Sequence, residues 1–391
     1  MTILAIIDPN LQKVVLIGLI IIGLGLLLRY FRQPYVIAYI LAGVLLGENG
    51  FKVITDKALI ASVGEFGLIL LLFFIGMEIS LSNLLKNWKI ATIGTALQVL
   101  GSVALVGIIG IFFNWEWNRI IVLGFVISLS SSAVVIKLLQ DGKMSQTAIG
   151  QNVISVLLMQ DILIVPMVIA TNYFGGRVPT PTEIILQLVG GALIIGCIVW
   201  VVKKGEINLP FSQHIEGDHE LQVFIAFIIC FGFALITALF GLSAALGAFV
   251  AGIVVHAARS TEWFHDSLHS FRVIFVALFF VSIGLQIDVS FVMANWAIIL
   301  SLIIAVYLSN HFINAAVLQY FGRNWKNSLY GGALLAQIGE LSFVLVASAF
   351  SAEIISEFAY KLTIIVISLT LLISPFWIAA TQKMLRMKIP E

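Results

Sequence analysis

Apolar runs alternate with short polar breaks along all 391 residues. Cutting at charged, proline and glycine-rich breaks places thirteen runs at about 12–29, 34–47, 58–79, 86–113, 119–139, 147–171, 182–202, 220–240, 242–257, 270–288, 292–319, 327–350 and 358–384. Backbone groups in lipid must find partners within their own segment, so each run is predicted as a membrane-spanning helix. The second and ninth are short for a perpendicular span. The pattern therefore predicts an all-α polytopic membrane protein.

The sixth run carries the clearest anomaly. Gln160 and Asp161 lie mid-way between Val153 and Pro166 in otherwise apolar sequence. A carboxylate at bilayer mid-depth costs about 2.5–3.5 kcal/mol on insertion scales. Its retention points to a cation or a proton as its partner, and a buried Asp hydrogen-bonded to a neighbouring helix is the plainer alternative.

The chain also repeats weakly at a spacing near 208 residues. Ile40-Leu-Ala-Gly-Val-Leu-Leu46 matches Phe249-Val-Ala-Gly-Ile-Val-Val255, and Phe73-Phe-Ile-Gly-Met-Glu-Ile-Ser80 resembles Val281-Ser-Ile-Gly-Leu-Gln-Ile-Asp288. An offset of seven helices is odd, so the two copies run in opposite directions across the membrane. Chance recurrence of Ala-Gly and Ile-Gly pairs in apolar sequence is the plainer alternative; the pattern otherwise reads as the inverted-topology repeat of many secondary transporters, which place their site where discontinuous helices cross at mid-membrane. The first repeat is expected over 1–181, a linking helix over 182–204 and the second repeat over 219–391.

Two symmetry-related segments are candidates for the crossing. The fifth run holds Ser128, Ser130, Ser131 and Ser132; the twelfth holds Gln337, Gly339 and Glu340. The four hydroxyls can cap freed backbone groups, donate oxygens to a cation, or pack a close helix contact. Glu340 can offset the positive ends of half-helices or pair with Lys137 or Arg272. Arg272 can equally snorkel, and Asn310 can line the core beside Asp161.

Composition narrows the class. The chain is 61% hydrophobic and 10% charged, against about 25% charged in soluble domains, which marks an integral membrane protein. A net charge of +1 argues against nucleic acid. Cys197 and Cys230 sit in apolar runs without metal-ligand spacing and read as packed thiols. The first run follows Asp8 and no cleavage site follows it, so it reads as a retained helix.

Basic residues fall mainly in one set of alternate loops, at Arg29, Lys86, Lys143, Lys203, Arg259, Lys326 and Lys383 among others. The positive-inside rule then puts the N-terminus outside and the C-terminus in the cytoplasm. His256, His265 and His269 fall in or beside one cytoplasmic loop, as a pH sensor or a solvated linker. No His-Glu-x-x-His or Gly-x-Ser-x-Gly motif argues for an enzyme, and no cofactor is expected. A Thr-Val-Gly-Tyr-Gly-type filter is missing, which disfavours a gated potassium channel.

Four motifs in order resemble the monovalent cation:proton antiporter-2 family. They are Ser130-Ser-Ser-Ala-Val-Val-Ile-Lys-Leu-Leu139, Gln160-Asp161 with Pro166, Phe279-Phe-Val-Ser-Ile-Gly284 and Gln337-Ile-Gly-Glu-Leu-Ser-Phe343. The Gln-Asp pair is similar to the Kef-type potassium efflux branch, within which the whole chain aligns. The resemblance implies a sodium/proton antiporter-like fold with a core of the fourth to sixth and eleventh to thirteenth spans. The other spans, apart from the linking seventh, would form a homodimer scaffold in a bacterial inner membrane.

Two departures stand out. Kef-type proteins usually continue into a cytosolic nucleotide-binding regulatory domain, whereas this chain stops at Glu391. A truncated chain and a naturally short relative both stay open, and a regulatory domain or subunit would lie outside it. Many relatives also carry a lysine in the eleventh span, where this chain has Asn310 and His311.

The expected chemistry is competition. Burial favours a protonated acid and a nearby cation favours the carboxylate, so Asp161 is expected to hold a proton or a dehydrated alkali cation, never both. Ser130, Ser131 and Ser132 are the expected accompanying ligands, and Gln160 can offer a carbonyl oxygen to the ion or hold the backbone of the crossing. One such group with no lysine nearby implies one-for-one, electroneutral exchange, with K⁺ favoured by the resemblance and Na⁺ the alternative.

Overall fold

The computed structural model describes residues 9–386, except 31–34, 49, 55, 79–86, 142, 176–180, 205–217, 243, 257–261 and 323. Among the described residues it is all helical. In chain order the helices are α1 (Pro9–Tyr30), α2 (Tyr35–Leu46), α3 (Lys57–Glu78), α4 (Thr95–Phe112, entered through a π-helical turn at Ile90–Gly94), α5 (Trp117–Ser128) and α6 (Ser132–Asp141). Then follow α7 (Ala148–Phe174), α8 (Pro181–Lys204), α9 (His219–Leu239), α10 (Ala244–His256) and α11 (Glu262–Leu285). The last are α12 (Val289–Ala294), α13 (Trp296–Tyr320), α14 (Trp325–Leu334), α15 (Ser342–Ser351) and α16 (Glu357–Met384).

The polar breaks between apolar runs act as caps. The side chains of Thr147, Asp218, Asp288, Asn324 and Ser356 each accept a hydrogen bond from the backbone N–H three residues on, starting α7, α9, α12, α14 and α16. Each satisfies one of the donors a helix start leaves open. By length and composition, Ile90–Phe112, Glu220–Leu239, Trp296–Tyr320 and Glu357–Met384 are long enough to cross a membrane. A fifth, α7, qualifies as a bent pair with a 41° kink at Pro166, because proline removes a helical N–H and clashes with the preceding turn.

The fifth and twelfth apolar runs differ from continuous helices. The fifth is divided into α5 and α6 with residues 129–131 non-helical between them; the twelfth is divided into α14 and α15 with 335–341 between them.

The chain forms two compact units. One holds α3, α8, α9, α10 and α11 up to Ser282; the other holds the remaining helices. In the first, Phe73, Phe74, Met77, Cys230, Ala248, Ala251 and Val255 make an apolar core. There α3 meets α10 at Gly76, where a Cβ would strike the backbone of Phe249 and Gly252. The second unit contains the corresponding contact, since a Cβ on Gly284 would strike the backbone of Ile40 and Gly43. Small residues matter here because lipid gives helices no hydrophobic reason to associate and close backbone approach supplies the attraction. The second unit's apolar core includes Val135, Leu139, Ile149, Val153, Leu157, Leu318 and Leu334. Beside it lies a cluster of buried polar groups, and that cluster contains both interrupted helices.

Candidate functional site

The end of α5 sets the frame. A helix terminus leaves its last carbonyls without intrahelical partners, and here other elements supply the donors. Ser342 Oγ donates to the Val126 carbonyl at 2.7 Å and Asn310 Nδ2 to that of Ile127 at 2.7 Å. Gln98 Nε2 and Gln160 Nε2 both donate to the Ser128 carbonyl, at 2.5 and 3.0 Å. The Gly339 N–H donates to the Leu129 carbonyl at 2.7 Å.

The backbone fixes how the two glutamine amides are turned. A carbonyl only accepts, so the atoms facing Ser128 are both nitrogens. The Ser130 N–H only donates, and it meets Gln160 Oε1 at 2.9 Å. Gln98 Oε1 is left to accept from Gln160 Nε2 at 2.9 Å. Gln160 therefore turns its oxygen to the backbone of the broken helix, one of the two roles expected of it.

The second interruption lies against the first. The Leu335 carbonyl accepts from Ser130 Oγ at 2.9 Å and from Asn314 Nδ2 at 3.3 Å. Asn310 Nδ2 also reaches the Ala336 carbonyl at 3.3 Å, so one amide bridges both interrupted helices. Thr370 Oγ1 accepts from the Ile338 N–H at 3.3 Å. Gly339 lies against the Ser130 and Ser131 backbone with no room for a Cβ. Gln337 is fully buried and neither of its amide atoms has a hydrogen-bond partner. Glu340 is buried just before α15, where the positive end of a helix favours a carboxylate.

Asp161 is 5% exposed in the middle of α7. Ser132 Oγ lies 2.9 Å from Oδ2 and 3.1 Å from Oδ1, donating to the carboxylate. Ser132 is the first residue of α6, so the charge also faces a half-helix N-terminus. Consecutive residues on a helix point about 100° apart, which lets Gln160 brace the break while Asp161 faces the start of α6. A buried carboxylate that accepts from a hydroxyl can hold a proton or an oxygen-seeking cation.

The candidate serines divide by task. Ser132 touches Asp161, Ser130 ties the two interruptions together, and Ser131 Oγ accepts from the Val134 N–H at 3.2 Å as the cap of α6. Ser128 Oγ folds back onto the Phe125 carbonyl at 2.8 Å. The side chains of Lys137 and Arg272 lie outside the described residues. Gln98, Asn314, Ser342 and Thr370 were not anticipated. A signal existed for Gln98: Thr95, Gln98 and Ser102 recur at helical spacing in an apolar run, and all three are buried.

Comparison with known proteins gives a consistent answer. The model of a family described as "Sodium/hydrogen exchanger, transmembrane" matches residues 15–383. The chain is 32% identical to the iron transporter MagA of Paramagnetospirillum magneticum, over 97% of this chain and 87% of that protein. It is 29% identical to K(+) efflux antiporter 5 of Arabidopsis thaliana, over 93% of this chain but 64% of that protein. It thus spans less than two thirds of this potassium relative. The sodium proton antiporter MjNhaP1 of Methanocaldococcus jannaschii has the same fold, with a TM-score of 0.70 at 16% identity over 98% of this chain and 99% of that one.

Proposed function

The chain belongs to the transmembrane sodium/hydrogen exchanger family, and from that premise we propose that it is a secondary active antiporter exchanging K⁺ for H⁺ at Asp161. The observation that carries the reading is a buried carboxylate held by a hydroxyl at the start of a half-helix. Membership of the family makes the protein an integral membrane transporter and not a catalytic enzyme.

Asp161 takes a proton in one state and a cation in the other. A bound cation supplies the charge that the proton otherwise neutralises, so each displaces the other. Ser132 donates to the carboxylate and can turn its oxygen lone pair to a cation. Ser130, Ser131 and Gln160 hold the backbone that aims these two groups. Two halves of the chain that rock around this fixed site would expose it to either side in turn.

The architecture behind this is thirteen spans in two inverted repeats, 1–181 and 219–391, joined by 182–204. The register of special positions supports it. Pro166 and Pro375 fall inside α7 and α16 at an offset of 209, and the Gly76–Gly252 contact is mirrored by Gly284–Gly43. The N-terminus is outside, the C-terminus is cytoplasmic in a bacterial inner membrane, and the protein works as a homodimer. A cytosolic nucleotide-binding domain or subunit would regulate it.

K⁺ is favoured by the potassium efflux relative and Na⁺ is the alternative on the same fold. The relative named as an iron transporter makes iron a third cargo. Carboxylate and hydroxyl oxygens suit hard cations, whereas transition metals prefer imidazole or thiolate. Among the described residues no group of three or more His, Cys, Asp or Glu is placed to hold a metal ion. Proton flux in proteoliposomes should therefore respond to K⁺ first, with Na⁺, Li⁺, Rb⁺ and Fe²⁺ tested separately. Asp161→Asn should abolish the response to every cation. Retained exchange in that variant removes Asp161 from the mechanism, and single-channel currents in place of saturable counterflow would mean a channel.

A further inference from the structure

A second titratable group lies in the same unit and takes no part in the exchange chemistry above. His311 follows Asn310 on α13 and is 5% exposed. Asn310 faces the interrupted helices, and His311, turned about 100° from it, faces α14 and α16. There Trp377 Nε1 lies 3.2 Å from His311 Nδ1, with the two rings edge-on at 80° and their centroids 5.8 Å apart. His311 also stacks on Phe312 at 5.3 Å.

Elementary chemistry settles the direction of the Trp377 bond. An indole N–H donates and has no lone pair to accept with, whereas an imidazole nitrogen accepts only when it carries no proton. Nδ1 is therefore bare and the ring proton sits on Nε2. That Nε2 is buried and makes no hydrogen bond of good geometry. A second proton, arriving on Nδ1, would set one N–H against another and break the tie to Trp377.

The tie does not end at Trp377. The Trp377 ring packs against Tyr307, with centroids 4.8 Å apart and planes tilted by 31°. Tyr307 Oη donates to the Thr370 carbonyl at 2.5 Å, and Thr370 Oγ1 accepts from Ile338 N–H inside the second interruption. The chain of contacts thus runs from an imidazole nitrogen to Ile338 in the second interruption.

We propose that His311 is a second proton-binding site, held bare on Nδ1 by Trp377 and coupled through Tyr307 and Thr370 to the second interrupted helix. Its ligand is a proton, and imidazole is the side chain suited to exchange one near neutral pH. Protonation releases Trp377, loosens the hold on Ile338 and slows exchange. The charged and titratable groups on the elements packed against α13 are few. They are Lys326 and Tyr330 on α14, Arg119 on α5, and Glu357, Tyr360, Lys361 and Lys383 on α16; α4, its π-helical turn and α12 carry none. Among these only Tyr330 is buried as His311 is, so no described carboxylate on them stands ready to take over a protonated His311.

The test begins with the wild-type protein in detergent micelles, labelled with ¹⁵N-histidine and ¹⁵N-tryptophan, and does not depend on transport. The histidine signal missing from His311→Asn should show the Nε2–H form above neutral pH. On acidification its Nδ1 should take a proton over the same pH range in which the Trp377 indole signal moves. A neutral ring protonated on Nδ1, or two transitions that do not coincide, overturns the proposal.

The second arm rests on the antiport reading. His311→Asn keeps an acceptor for Trp377 but cannot be protonated, so its exchange rate relative to wild type should rise three- to tenfold as pH falls. Trp377→Phe, which lacks the donor, should run at the slow rate at all pH. A constant ratio between His311→Asn and wild type overturns the coupling. Coincident NMR transitions in a protein that exchanges no cation would leave the His311 site standing and remove the antiport reading alone.

Discussion

The two interrupted helices are built on one plan and finished differently. At the first, the Ser130 N–H is pinned by Gln160 at 2.9 Å; at the second, the Ile338 N–H is pinned by Thr370 at 3.3 Å. Both pins come from the span that follows the break. The first interruption is short, and the carbonyls at the end of α5 find donors on four other helices and on the 335–341 segment. The second is longer and holds Gln337, whose amide has no partner on either atom, beside Asn310, whose Oδ1 has none. An unpartnered buried polar group costs about 1–3 kcal/mol, and of the two non-helical segments it is the second that carries such a side chain, Gln337. The first interruption is a frame, and the second is the part with something to gain by rearranging.

The largest effect should come from destroying the crossing that the two share. In Gly339→Ala the new Cβ meets the backbone of Ser130 and Ser131, which cannot swing aside as a flexible side chain can. Overpacking typically costs about 1–3 kcal/mol, and a backbone neighbour puts this case at the upper end. The variant should unfold well below wild type on heating in detergent and lose exchange. An unchanged melting temperature would mean that the segments do not cross this closely.

Next comes a matched pair that separates the frame from the loose side. Gln160→Leu strips partners from the Ser130 N–H and from Gln98 Oε1, and should cost about 2–3 kcal/mol. Gln337→Leu removes two buried atoms that bond to nothing, so it should be neutral or stabilise by about 1 kcal/mol. Thermal or denaturant unfolding of the two variants side by side reads the difference. Equal losses would erase the distinction between the interruptions.

Much of this was legible in the sequence, for identifiable reasons. Run lengths anticipated α2 and α10 as short helices, and their Ala-Gly pairs turned out to be where backbones meet. The serine cluster and the Gln337-to-Glu340 segment marked the interruptions because such residues have no business in a plain span. The resemblance to Kef-type antiporters agrees with a potassium efflux relative. Hydropathy could not say which hydroxyl does what, because Ser130 and Ser131 lie in the non-helical break and Ser132 opens α6, and only the folded backbone sets where each one points. Nor could it find Asn314 or Thr370. Their targets lie at Leu335 and Ile338, and such pairings exist only once the helices are packed.

A milder change touches the carboxylate itself. Ser132→Ala removes the hydroxyl at 2.9 Å from Asp161 and leaves both interruptions intact. A hydrogen bond of this kind contributes about 0.5–1.5 kcal/mol. Apparent cation affinity in the flux assay should fall about two- to tenfold while stability holds, and Ser132→Thr should restore it. Full affinity in the alanine variant would mean that the hydroxyl is not part of the ion's surroundings.

The smallest effect is expected at the neighbouring residue. Ser131 caps α6 through the Val134 N–H at 3.2 Å, whereas α15 begins after Leu341 with no side-chain cap. The asymmetry fits a frame on one side and a looser element on the other. Losing a serine cap costs about 1 kcal/mol, so Ser131→Ala should lower the melting temperature slightly. The ratio of K⁺- to Na⁺-driven proton flux should not change, because the hydroxyl is turned to its own helix. A changed ratio would put Ser131 back among the ion's ligands, as the bare serine cluster first implied, and the first interruption would then be part of the site as well as its frame.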